Sequence, residues 1–119
     1  MSAQVFWMLE LDIKPGQLDA LRALMQEMVA ATEANEPGTI NYEWFLSEDE
    51  TKCHIYERYI DSAAVMVHLA AFGQHFAERF LGALQPTRFT VYGNPSGQVR
   101  EALAAFGAGY MAEFGGYAR

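Results

Sequence analysis

Two histidines, one glutamate and a group of aromatics in the middle of the chain have the types and spacing to do proton chemistry. His68, Phe72 and His75 stand at i, i+4 and i+7, which puts them on one stripe of a helix. Glu57 and Tyr59 lie two residues apart in KCHIYERYI (52–60), and Tyr42 and Trp44 alternate in INYEWFLS (40–47). If the helical stripe faces these two segments, the result is an aromatic cleft with a few polar groups, the usual form of a small-molecule site. Such a cleft suits proton abstraction from a phenolic substrate. An electron-rich phenolate or carbanion can pass an electron to dioxygen without metal or flavin, provided the protein supplies a base and excludes water. Histidine fits the base role because its unperturbed pKa, about 6.5, lies near working pH. In this reading His68 is the base, Glu57 orients or stabilises the imidazole, and Tyr59 and Tyr42 hydrogen-bond substrate oxygens. Trp44, Phe72 and His75 complete the substrate wall.

Each residue also has a structural reading. A helical histidine commonly caps a backbone group or fills a half-buried slot, and His75, near Gly73, can simply be solvated. Tyr42, Trp44 and Tyr59 can be ordinary core. Glu57 within a strand needs a partner, and its neighbour Arg58 should point to the opposite face. Cys53 reads as a small buried apolar residue. Other chemistries lack their residues. Histidines at 54, 68 and 75 make no zinc motif. Gly93-Asn94-Pro95-Ser96-Gly97 lacks the lysine and hydroxyl of a phosphate loop, and no Gly-x-Ser-x-Gly elbow occurs. No cofactor or metal is expected.

Composition narrows the partners. The 119 residues fit one domain able to bury a core, and 51% hydrophobic against 19% charged side chains is a globular balance. A net charge of -7 would repel phosphate backbones and anionic membranes, so nucleic acid is not expected as a partner. No run approaches the roughly 18 apolar residues of a membrane span. The start, MSAQVFWMLELDI, lacks the features of a signal peptide, and the lone cysteine suits a reducing compartment. The cytoplasm is the expected location.

The elements that must position the site follow from periodicity. Residues 4–13 read as a strand ending at Lys14-Pro15-Gly16. Leu18, Leu21, Leu24, Met25, Met28 and Val29 then make one apolar helical face that ends near Asn35, ahead of the breaker Glu36-Pro37-Gly38. Residues 40–47 and 52–60 form a hairpin across Ser47-Glu48-Asp49-Glu50. Asp61-Ser62 caps a second helix reaching about Leu84, with a break near Gly73, and residues 86–92 form a fourth strand. The order β-α-β-β-α-β is the split, ferredoxin-like arrangement, an antiparallel four-stranded sheet covered by helices on one face. Pairing Ser47 with Lys52 sets Tyr42 opposite Glu57 and Trp44 opposite Ile55, with Ile40, Leu46, Cys53 and Tyr59 on that face. The other face still carries Phe45, Tyr56, Phe6 and Met8. A sheet with aromatics on both faces and helices on one should bury the other against a second copy, giving a homodimer. Residues 1–93 form this domain and 94–119 an extension. There Val99, Leu103, Phe106, Tyr110 and Phe114 predict an amphipathic helix from Ser96, weakened by Gly107 and Gly109.

The turn KPGQ, the segment EPGTINYE and IYERYIDSAAVMVHLAAFGQHF together resemble the antibiotic biosynthesis monooxygenase family. The resemblance covers about residues 4–93, and its most specific part is Glu57, the aromatic Tyr59, Asp61 and then His68 in the helix. Family members commonly carry tryptophan where this chain has Tyr59, a change that keeps the aromatic wall but alters its hydrogen bonding. The resemblance implies a dimeric α/β barrel, two ferredoxin-like sheets packed face to face. It also implies cofactor-independent oxygenation of a quinol-like or polyphenolic aromatic. Two alternatives stand beside that activity. The superfamily includes haem-degrading enzymes, which usually place a tryptophan where this chain has His68, and it includes non-enzymatic dimeric proteins that bind small molecules.

Overall fold

The first strand, β1 (Val5–Ile13), is apolar on alternate residues because it lies in the centre of the sheet: Val5, Trp7 and Leu11 are buried. In the computed structural model, which describes residues 3–119, β1 pairs antiparallel with β3 (Lys52–Tyr59) on one side and β4 (Leu84–Gly93) on the other. With β2 (Thr39–Leu46) and β5 (Gly109–Met111) the sheet runs β2-β3-β1-β4-β5. The expected ferredoxin-like fold is present with one strand more than expected: β5 is added parallel to β4 at the edge.

Helices α1 (Leu18–Asn35), α2 (Ser62–His75) and α3 (Ala77–Ala83) lie on one face. Beneath them the core divides into two clusters. Leu21, Leu24 and Met28 of α1 meet Leu11, Ile55 and Phe80 in one; Val5, Trp7, Tyr59, Val65 and Val91 form the other. Asp61 caps α2 by accepting from the Ala64 N–H at 2.9 Å, as its side-chain chemistry predicts.

Four details differ from the sequence expectation. Ile40 does not join the core face. The register shifts between Thr39 and Asn41, so Ile40 is the extra residue of a bulge and 46% exposed. Leu46 pairs opposite Cys53 as expected but, at the strand's end, is exposed rather than buried. The second helix breaks at Phe76 rather than Gly73, because Gly73 faces open space while Phe76 turns in against the core. Strand β4 starts at Leu84, and Pro86 is accommodated where the β1–β4 register shifts.

The tail also differs. Its helix, α4 (Gly97–Leu103), begins after Ser96 as expected, with the Val99 N–H donating to the Ser96 hydroxyl at 3.2 Å, but a 3-10 turn at Ala104–Phe106 and a left-handed Gly107 (φ 68°) stop it. Tyr110 therefore stands on a strand and Phe114 is fully exposed, so the two do not continue the helical stripe. Val99 and Leu103 are completely buried in the second core cluster. Among the described residues no helix is long and apolar enough to cross a membrane.

Candidate active site

The hairpin register is the one that alternation predicts. Tyr42 lies opposite Glu57 and Trp44 opposite Ile55, and β1 sets Trp7 on the far side of Glu57. Glu57 is thus a carboxylate on the inner, helix-covered face, only 5% exposed. Burial without partners would be costly. Its partners come from two directions. Tyr59, two residues on along the same face, donates its hydroxyl hydrogen bond to Glu57 Oε1, and His68 Nε2 lies 3.2 Å from the same oxygen.

The other ring nitrogen of His68 has a carboxylate of its own. Nδ1 is 2.8 Å from Oε1 of Glu36, which is itself buried. Glu36 follows the last turn of α1, and Gly38 lets the connecting turn press against α2. A Cβ built on Gly38 would stand 2.6 Å from the Ala64 Cβ, so no other residue fits without displacement. Thr39 Oγ1 donates to Glu36 at 3.3 Å and holds the carboxylate from below. The outcome is a buried row, Glu36–His68–Glu57–Tyr59, assembled from a turn, a helix and a strand.

Its electrostatics follow. Burial alone would lower the His68 pKa, but hydrogen bonds to Glu36 and Glu57, and their charges, outweigh it and raise it to about 9. At neutral pH the ring is therefore an imidazolium donating from both nitrogens. Tyr42 packs edge-on to His68 at 5.1 Å between ring centroids, and Tyr59 lies at 5.5 Å. Burial, reinforced by the Glu57 and Glu36 charges, pushes the Tyr42 phenol well above its ordinary value; burial and the Glu57 carboxylate do the same to Tyr59. Both remain neutral hydroxyls.

This row closes the inner end of a cavity of about 280 Å³. Tyr42, Glu57 and His68 supply its polar end; Trp7, Ile55, Phe72, Phe80 and Phe89 supply apolar walls. Its lining also takes in Leu81, Gln85 and Pro86 from the end of α3 and the start of β4, and Leu103, Ala105 and Phe106 from the tail; of these, Leu81, Gln85, Ala105 and Phe106 are exposed and mark the way to the surface.

Of the residues singled out in the sequence, His68, Glu57, Tyr42 and Phe72 meet at this cavity, and Tyr59 backs Glu57. Trp44 stands behind Tyr42, packed against Phe80, and borders a separate small groove at the β2 edge. His75 is exposed on the far turn of α2 beside Phe76. Two lining or supporting residues carry no sequence signal of a place here: Glu36, which reads as part of a helix-breaking turn, and Trp7, which reads as one bulky residue of the first strand. His54 lies on the outer face near Glu10, at 3.7 Å. Both nitrogens of His68 are already engaged, and the described residues contain no cluster of three or more His, Cys, Asp or Glu side chains able to hold a metal ion. Cys53 is buried, and burial raises its thiol to about 11, which keeps it protonated.

Residues 5–78, which carry Glu36, Glu57 and His68, match the family model of the antibiotic biosynthesis monooxygenases. The chain belongs to that family. Solved structures agree on the fold. MupZ from Pseudomonas fluorescens superposes with a TM-score of 0.87 at 21% identity, over 99% of this chain and 96% of that one. The shared fold there includes the C-terminal helix and strand. Protein SO0527 from Shewanella oneidensis matches 76% of this chain and 88% of its own, at 28% identity and a TM-score of 0.61. SnoaB from Streptomyces nogalater, described as a cofactor-independent oxygenase, matches 80% of this chain and 96% of its own, at 15% identity and a TM-score of 0.65. No curated protein matches the chain.

Proposed function

We propose that this member of the antibiotic biosynthesis monooxygenase family is a cofactor-independent monooxygenase of a quinol-like or polyphenolic aromatic. The observation that carries the proposal is the buried Glu36–His68–Glu57 row at the polar end of an otherwise apolar cavity. With His68 neutral, the bond between Nε2 and Glu57 Oε1 lacks a proton. Glu57, on the cavity wall, accepts the proton of the substrate hydroxyl or of an acidic ring CH2 and passes it to Nε2. Glu36 fixes the tautomer by holding the proton on Nδ1, the relation of orienting carboxylate to base seen in many acid–base sites. A base of conjugate-acid pKa about 9 is well matched to a phenol of about 10.

The resulting anion gives one electron to dioxygen, and recombination of the radical pair forms a carbon–oxygen bond. Where the oxidised carbon bears two hydrogens, the first leaves as the abstracted proton and the second in the elimination of water from the hydroperoxide. One oxygen atom ends in the product carbonyl and the other in water, so substrate and dioxygen alone balance the reaction. The apolar walls exclude bulk water from the anion.

The enzyme works as a homodimer in the cytoplasm in this reading. Phe6, Tyr56 and Tyr92 cluster on the helix-free face of the sheet, with the Tyr56 ring centroid 6.4 Å and that of Tyr92 5.3 Å from Phe6. Covering that face with a second copy removes the aromatic surface from water. Light scattering should give about 27 kDa, twice the chain mass of 13.3 kDa; a monomer at micromolar concentration refutes the assembly.

Oxygen uptake by metal-free, flavin-free protein with a panel of quinols and anthrones, run beside His68→Ala, tests the activity. Uptake that the variant loses is expected. A folded wild type that consumes no oxygen with any compound leaves a binding protein instead.

A further inference from the structure

The two ends of the cavity differ in a way that bears on what enters it. At the inner end, the titratable groups facing His68 are Glu36 from the α1–β2 turn, Glu57 and Tyr59 from β3 and Tyr42 from β2. Two carboxylates against one imidazolium leave a net charge of −1, and among the described residues no lysine or arginine borders the cavity. An anion entering from solution would meet like charge in a water-poor setting, whereas one formed in place leaves its proton on the row and adds no net charge.

The outer end belongs to the tail. Leu103 is anchored in the core, Ala105 and Phe106 follow in the 3-10 turn, and Gly107 ends that turn in the left-handed region. The chain then ties down at once, as Gly109–Met111 pairs with Thr90–Tyr92 of β4. Arg100 stacks on Tyr110 at 4.0 Å and links the helix to the strand. Phe106 is held on both sides yet is 44% exposed, an apolar ring at the mouth and not a core residue. Exposed Leu81 and half-buried Pro86 line the same cavity.

We propose that the C-terminal segment Leu103–Phe106 determines specificity, selecting an uncharged hydroxylated aromatic whose apolar substituent runs outward along Phe106. The inference rests on the oxygenase reading for the placement of the hydroxyl at Glu57 and His68. It goes beyond that reading by naming the substituent, its polarity and the residue that senses it. Phe106 is a specificity residue here and takes no part in proton transfer.

Anaerobic calorimetric titration separates the two ideas, since no turnover is needed. The probes are hydroquinone, its alkyl derivatives from methyl to octyl, and the corresponding 4-alkylbenzoates. For the hydroquinones, each methylene that enters the cavity should tighten Kd about fourfold, until the chain passes Phe106 and the gain stops. Benzoates should bind at least tenfold more weakly than phenols of equal length. In Phe106→Ala the parent hydroquinone should keep its affinity while the longest covered chain weakens about tenfold; Phe106→Leu should restore most of the loss. A Phe106→Ala effect equal at every chain length, or none at any, overturns the proposal, as does equal binding of benzoates. If the length dependence holds but no oxygen is consumed, the specificity role stands and the oxygenase reading fails.

Discussion

Replacing Glu36 by glutamine removes one negative charge from the row while leaving an oxygen that can still accept from His68 Nδ1. The size of the effect follows from the balance at His68. Its pKa of about 9, against an ordinary 6.5, means that the two carboxylates outweigh burial by about 3 kcal/mol. Burial is the largest single influence and lowers the value, and the Glu36 hydrogen bond is the largest that raises it. With Glu57 left alone against burial, the pKa should fall by at least about one unit. NMR titration of the imidazole carbon-bound protons reads this directly. Kinetics should follow it. At a pKa of about 9, roughly 1% of His68 is neutral at pH 7, so wild-type kcat/KM should climb about tenfold per pH unit and level off near 9. In Glu36→Gln the plateau should begin at correspondingly lower pH and stand lower, because the base is weaker. A titration midpoint unmoved by the substitution would refute the reasoning, since Glu36 would then not be what holds the proton.

Three further expectations use the same contacts. Because the folded-state pKa of His68 lies above its unfolded value, its contribution to stability is complete below about pH 6.5 and is lost as pH rises through about 9. Chemical denaturation should show a decline of up to about 3 kcal/mol across that window, and His68→Gln should lack it. Gly38→Ala forces its Cβ against Ala64, at 2.6 Å, and should cost about 1–3 kcal/mol and shift the His68 resonances, with Ala64→Gly in the same chain restoring both. Haem added to the protein should produce no shift of its Soret band. His68 has no free nitrogen, His75 is exposed away from the cavity and His54 sits on the outer face; a shift that His68→Ala abolishes would revive the haem reading.

Much of this architecture was legible in the sequence because it depends on local or short-range pattern. Alternation in 40–47 and 52–60, with a turn of fixed length, determined which residues share a face, and so brought Tyr42 to Glu57. Asp61 announced its helix through side-chain chemistry, and the helix after Ser96 showed in the spacing of Val99 and Leu103. Glu36 was not legible. It meets His68 across 32 residues through an irregular turn, and neither periodicity nor spacing encodes such a contact. The one available hint was Glu57 itself, a strand carboxylate in need of a partner. The bulge at Ile40 was hidden for a related reason: one inserted residue leaves the alternation of its neighbours intact. In the tail, steps of three and four imitated a helix as far as Phe114. The left-handed Gly107 and the free edge of β4 decided otherwise.

The central claim is that the Glu36–His68–Glu57 row takes a proton from a phenolic or enolisable ligand in the cavity. The absorption spectrum of an anthrone bound under nitrogen measures that step without oxygen chemistry. The account predicts that the bound ligand ionises at a pH below that of the free compound, and that its anion band disappears in His68→Ala. A ligand that binds in the cavity and stays neutral wherever the free compound is neutral would contradict it.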